Sequence, residues 1–209
     1  MYPQKGSLLP VAPAGVSYLR PEELLRLTEA FRIRFERPAG RRYFRKARAR
    51  HWVIFLLLRY TGARVSEVLA VNDQRDLDFR EAMVRLPTLK RHRSGSKEMA
   101  RQVPLPPLVF GEIGRVLAEF PDLRGRLFAC HRSAVFRYFQ ARAKEAGLDP
   151  KLAHPHVLRH SRAIELLRAG VPVTVVQEIL GHASLTTTAV YLRFSGQEIK
   201  TILQDRGML

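Results

Sequence analysis

The sequence predicts a mainly α-helical fold that carries one small three-stranded antiparallel sheet. Two observations make that prediction. Apolar residues recur at helical spacing through most of the chain, and several of these runs stop at a glycine, the residue that best tolerates the left-handed turn closing a helix. Between Asp76 and Leu105 the pattern changes to short β-rich runs separated by turn residues. Length and composition permit such a fold: 209 residues at 46% hydrophobic content suffice for one well-buried core or two small domains.

Residues 1–18 hold Pro3, Pro10, Pro13, Gly6 and Gly15 without periodicity and read as an extended arm or linker. Pro21-Glu22-Glu23 opens the first helix, because proline fits a first turn and carboxylates favour the positive end of the dipole. Leu24, Leu25, Leu27, Ala30 and Phe31 give that helix an apolar face. A basic run from Arg41 to Arg50 leads into a helix ending at Gly62, with Trp52, Phe55, Leu56 and Tyr60 available to the core. The run reads either as a stripe that tracks a polyanion or as a solvated helix face. A short amphipathic helix follows over Val65 to Val71. Leu77 and Phe79, then Met83 to Leu86, then Gln102 to Leu105 form the three strands. Helices are expected again over Leu108 to Phe120, Ser133 to Ala146, Pro155 to Ala169, Val173 to Leu180 and Leu185 to Phe194, with an amphipathic tail helix over about 196–205.

Charge is the compositional outlier. Lys and Arg number 36 against 19 Asp and Glu, a formal net charge of +17. A surplus of this size favours a polyanionic partner, since each phosphate neutralised releases condensed counterions. Cys130 is the only cysteine, so neither an intrachain disulfide nor a cysteine-built zinc site is available. The longest apolar run, Trp52 to Leu58, is far short of a bilayer span, and no secretory signal is visible at Met1 to Gly6. The expected setting is cytoplasmic, without membrane contact.

The residues that carry chemistry fall in one order. Arg64 follows Thr61-Gly62-Ala63, with Glu67 one turn on to hold its guanidinium. His156 and Arg159 are three apart and therefore share a helix face, with His160 close in angle and expected to pack inside the domain. His182 follows Leu180-Gly181, and Tyr191 closes the set. Two permanent cations, two imidazoles and a phenol suit attack on a phosphodiester, whose developing charge lies on non-bridging oxygens. A metal site at His154, His156 and His160 is the rival reading. Arg159 would place a fixed cation beside that metal and no carboxylate is near, so no metal is expected. Asp73, Asp76 and Asp78 are expected to mark a turn and the first strand rather than to bind Mg²⁺, and no phosphate-cradling Gly-rich Lys-Ser/Thr loop is present.

The order Arg … His-x-x-Arg … His … Tyr resembles the active site of the tyrosine recombinases, the phage-integrase superfamily, from about Leu19 to Phe194. The resemblance implies a recombinase catalytic domain over 19–209 and a site-specific DNA recombinase working through a 3′-phosphotyrosine on Tyr191. It implies a bidentate contact from Arg64 to the scissile phosphate, with Arg159 and His182 stabilising its oxygens and His156 handling the proton of the nucleophile. It also implies a hairpin lysine that protonates the leaving 5′-oxygen. Lys90 is preferred for that role, and Lys97, across the basic loop Arg91 to Lys97, competes with it. No cofactor, metal or ATP is implied. The partners implied are double-stranded DNA and further recombinase protomers in a tetrameric synapse. DNA contacts are expected at Arg41, Arg42, Arg45 and Arg48 of the basic run and at Arg91 and Arg93 of the loop. Related recombinases usually carry a separate helical domain before the catalytic one. Only one or two helices precede Arg64, so that domain is expected to be absent from this sequence, either as in the short inversion recombinases of fimbrial phase switches or because the sequence is a trimmed fragment. Two other functions fit parts of the pattern. A type IB topoisomerase would share the chemistry, and a non-catalytic regulator could use Gly170 to Thr188 as a helix-turn-helix.

Overall fold

The computed structural model of the chain describes residues 17–87, 100–181 and 204. It bears out the mainly helical class with one three-stranded antiparallel sheet. The chain divides into two compact units: residues 17–162, and residues 163–209 together with 1–16.

In the first unit, α1 (Pro21–Glu36) begins as the sequence predicts. Glu23 accepts the backbone N–H of Arg20 at 2.8 Å, supplying one of the acceptors a helix start lacks. Leu19, just before it, is 3% exposed, and its N–H donates to Ser161 Oγ at 2.8 Å, which ties the start of the unit to its last helix.

The basic run is not a separate segment. It forms the first half of one 20-residue helix, α2 (Arg42–Thr61), whose second half is buried from Trp52 to Leu58. A helix apolar all round belongs at the centre of a unit. Phe55 stacks on Phe31 of α1 at 4.0 Å between ring centroids, and Trp52 Nε1 donates to Glu112 Oε2 at 2.6 Å. Glu112 lies on α4 (Pro107–Glu119), so α2 is gripped from two sides.

Three arginines of the run, Arg42, Arg45 and Arg48, have acceptors within the protein. Arg45 bonds both oxygens of Glu119, at 2.9 and 3.1 Å, and the carbonyl of Phe35 at 2.6 Å. Arg48 donates to the carbonyls of Arg37 and Pro38, Arg42 to that of Glu119, and Lys46 pairs with Asp122. Arg41 is exposed at the N-cap.

After Gly62 comes the short α3 (Val65–Leu69), then the sheet: β1 (Leu77–Asp78), β2 (Met83–Pro87) and β3 (Ala100–Pro104), in the order β1-β2-β3. Val84 pairs with both Leu77 and Val103, and Leu86 pairs with Arg101. Strand alternation turns Val84, Leu86 and Val103 inward, and each is at most 1% exposed. The three aspartates serve the turn and strand. Asp73 accepts the N–H groups of Gly125 and Leu127, Asp76 that of Asn72, and Asp78 those of Arg80 and Glu81. Two short 3₁₀ turns, Pro121–Leu123 and Pro150–Leu152, were not anticipated; each starts on a proline that fits a first turn. Between them lies α5 (Arg132–Glu145).

The last helix of the first unit, α6 (His156–Arg168), ends in the second unit. There α7 (Val173–Leu180) buries Val176 and Leu180 and closes at Gly181, φ 67°. The expected helices over Leu185–Phe194 and about 196–205 lie outside the described residues, Gln204 excepted, as do residues 1–16 of the expected arm 1–18. Among the described residues, no helix is long and apolar enough to cross a membrane.

Candidate active site

The site is built where α2 ends. Gly62 takes up φ 64°, a conformation strained for any side chain bearing a Cβ, and its N–H closes the helix on the carbonyl of Leu58. The chain reverses there and delivers Arg64 to the N-cap of α3. Glu67, in the first turn of α3, reaches back with both oxygens: Oε2 accepts the Arg64 N–H at 2.9 Å and Oε1 accepts from Arg64 Nη1 at 3.0 Å.

Glu67 is 1% exposed, so a single, partly solvated arginine would be a poor counterion for it. A second is present. Arg101 Nη2, from β3, donates to Glu67 Oε2 at 2.8 Å, and its side chain is only 9% exposed. Burial pushes the Glu67 carboxyl up, but the bond from Arg101 and the charges of Arg101 and Arg64 outweigh it and hold the group below the usual carboxylate range. Arg101 was not singled out from the sequence, although a signal existed. It stands two residues before the inward-facing Val103, so it shares that face, and an inward arginine requires an acid.

Arg159 comes to the same turn from α6. It is 3% exposed, and its Nη1 donates to the carbonyl of Gly62 at 2.8 Å. The carbonyl at the α2 terminus thus fixes one guanidinium two residues from the backbone that carries the other.

His156 opens α6 one turn earlier. It is exposed at the surface, and its proton affinity is reduced first by burial of part of the ring, then by the charges of Arg159, His154 and Arg64. Burial foremost, then the charges of His156, Arg159 and His154, bring His160 down to about 4. The two rings meet edge to face at 4.7 Å. Among the described residues, no group of three His, Cys, Asp or Glu side chains is arranged to hold a metal ion.

Arg64 and His156 line one cleft of about 270 Å³, completed by the Ala63–Ser66 turn, Pro155, and Arg132 and Phe136 of α5. Arg64 keeps nearly half of its side chain open to it, 47% exposed, despite the bond to Glu67. The arrangement offers a fixed, partly exposed guanidinium and an imidazole neutral at pH 7, which suits binding an anion and accepting a proton beside it. Of the other predicted site residues, Lys90, Arg91, Arg93, His182 and Tyr191 lie outside the described residues, as does Lys97.

The phage integrase family model matches residues 17–198. The chain belongs to the phage integrase family. A tyrosine recombinase of Thermosipho africanus is 37% identical over 150 residues, covering 68% of this chain and 49% of that protein. Tyrosine recombinase XerA of Pyrococcus furiosus is 31% identical over 173 residues, 78% of this chain and 57% of the relative. This integrase-family chain therefore spans about half the length of those relatives. The crystal structure of XerA recombinase matches with a TM-score of 0.67 at 26% identity, over 99% of this chain and 66% of that one. XerH site-specific recombinase bound to its difH substrate, in a pre-cleavage complex, matches with a TM-score of 0.70 at 25% identity, over 90% of this chain and 53% of that one.

Proposed function

We propose that this chain is the strand-cleaving part of a site-specific DNA recombinase that breaks and rejoins a phosphodiester through a 3′-phosphotyrosine at Tyr191. The observation that carries the reading is the convergence at the α2 terminus: Arg159 bonds the Gly62 carbonyl, and Arg64 and His156 share one cleft. The XerH structures, caught before and after cleavage of difH DNA, belong to relatives of this fold and support the same class of reaction.

The chemistry follows from the groups. The Tyr191 oxygen attacks phosphorus and displaces the 5′-oxygen, while its proton passes to His156, which is neutral at pH 7 because burial and nearby cations lower its affinity. A free phenol has a pKa near 10, so neighbouring cations favour the phenolate as it forms. Arg64 and Arg159, with His182, stabilise charge on the non-bridging oxygens of the five-coordinate phosphorus. Lys90 delivers a proton to the departing 5′-oxygen, with Lys97 the alternative donor. The 5′-hydroxyl of a partner strand then attacks the phosphotyrosine, reforms the phosphodiester and releases Tyr191. The bond energy stays in the tyrosyl ester, so the cycle needs no ATP. Strand exchange requires further protomers, in a tetrameric synapse on duplex DNA, and the +17 charge favours that substrate. The setting is the cytoplasm.

A nicked duplex that traps the covalent intermediate tests the reading. Wild-type protein is expected to yield a protein–DNA adduct whose phosphate maps to Tyr191, and Tyr191→Phe none. An adduct that persists in the variant overturns the assignment.

A further inference from the structure

We infer that Arg132, braced on Phe136, is a second backbone-phosphate anchor of the cleft and grips a DNA phosphate beside the one Arg64 holds. The inference rests on the DNA-cleavage reading of that cleft and extends it to a residue outside the catalytic set.

Three observations meet at this side chain. Arg132 lines the same cavity as Arg64 and His156, so an anion entering it meets both guanidinium groups. Arg132 is also the first residue of α5, a 14-residue helix with no acid in its first turn. The positive end of a helix dipole disfavours a cation and favours an anion. Arg132 therefore adds to the positive potential at this end of the cleft. Finally, the guanidinium is held without being neutralised. It lies over the Phe136 ring, one turn along, at 5.3 Å from the centroid, and among the described residues no carboxylate pairs with it. Arg45, Arg75, Arg85 and Arg101 differ in this respect, since each is bonded to an acid. A cation–π contact orients a guanidinium while leaving its edge donors open. Those donors suit a phosphate oxygen.

The test is the salt dependence of DNA binding. A fluorescein-labelled duplex of mixed sequence is titrated with wild-type protein, Arg132→Ala and Arg132→Lys between 50 and 200 mM salt. Arg80→Ala serves as the control, since that side chain is 92% exposed in the β1–β2 turn and is not part of the cleft lining. One lost phosphate contact reduces the slope of log K against log salt by about 0.9, so the affinity gap between wild type and Arg132→Ala should shrink about 3.5-fold over that range. Arg132→Lys keeps the charge and should keep the slope, and Arg80→Ala should match wild type. Circular dichroism verifies that each variant is folded. A wild-type slope in Arg132→Ala overturns the anchor, as does an equal loss of slope in Arg80→Ala or no binding of the duplex by wild type. Normal duplex binding with the predicted slope change, but no Tyr191 adduct in the trapping experiment, upholds the anchor and removes the strand-exchange reading alone.

Discussion

Glu67 has almost no contact with solvent, and two guanidinium groups share its carboxylate. Its position makes it a clamp on Arg64: one oxygen fixes the backbone N–H and the other the guanidinium, while Arg101 supplies the charge that keeps the carboxylate ionised in a buried setting. Arg101 thus acts on the cleft through Glu67, as a positioning residue. Arg101→Ala leaves Glu67 with one partly solvated partner and lets the Arg64 side chain wander. A displacement near 1 Å at a reacting group can cost about 10²-fold in rate. The expected outcome is a loss of up to about 10² in adduct formation for Arg101→Ala, with substantial rescue by Arg101→Lys, whose ammonium can still reach the acid. Arg64→Ala removes a direct donor and should cost about 10²–10³. Single-turnover cleavage of the nicked duplex measures all three. Equal rates for Arg101→Ala and wild type would show that Glu67 positions Arg64 unaided.

At the scale of elements, the decisive feature is the end of α2. One left-handed residue terminates the helix, turns the chain toward Arg64 and presents a carbonyl to Arg159. Gly62→Ala places a Cβ at φ 64°, which costs about 1–2 kcal/mol, and Gly62→Asn should cost less because asparagine tolerates that region better. Urea unfolding of the two variants checks the order. The terminus was legible in the sequence because glycine marks such turns, and so were the strands, the helix ends at Gly147, Gly170 and Gly181, and the pairing of Arg64 with Glu67 three residues on. Long-range choices were harder to read. Arg101 is 34 residues from Glu67, and nothing local in either segment names its partner. The run that holds Arg42, Arg45 and Arg48 reads either as a cationic stripe or as a solvated face, because like charges cluster there. Their acceptors, Glu119 and the carbonyls of Phe35, Arg37 and Pro38, belong to segments that only folding brings alongside α2. Arg132 was not singled out from the sequence, and the fold brings it to the lining of the cleft that Arg64 shares.

The molecule as a whole carries 36 Lys and Arg against 19 acids, so its few buried carboxylates counter a large positive excess. Glu67 and Asp76 are 1% and 2% exposed, and in both, arginine hydrogen bonds outweigh burial and hold the carboxyl below its usual range. Groups whose folded pKa is depressed contribute stability that is fully present above the unfolded value, near 4, and lost as pH falls through the folded one. The histidines act in the same direction at higher pH. Burial keeps protons off His51, His156 and His160, the last down to about 4, whereas the unfolded chain takes them up near 6.5. Stability should therefore hold from neutral pH down to about 6.5, decline gently toward 4 as the unfolded chain gains histidine protons, and fall steeply below 4 as the carboxylates lose charge and arginine repulsion goes uncountered. Glu67→Gln separates the two phases. Breaking one side of a buried ion pair costs about 3–5 kcal/mol at neutral pH, but the variant has no Glu67 charge left to lose in acid. Urea midpoints of wild type and variant, measured from pH 7.5 to 3, should lie far apart at neutral pH, run parallel through the histidine range and converge below 4. Curves that stay parallel below 4 would mean that Glu67 is not held ionised by Arg64 and Arg101.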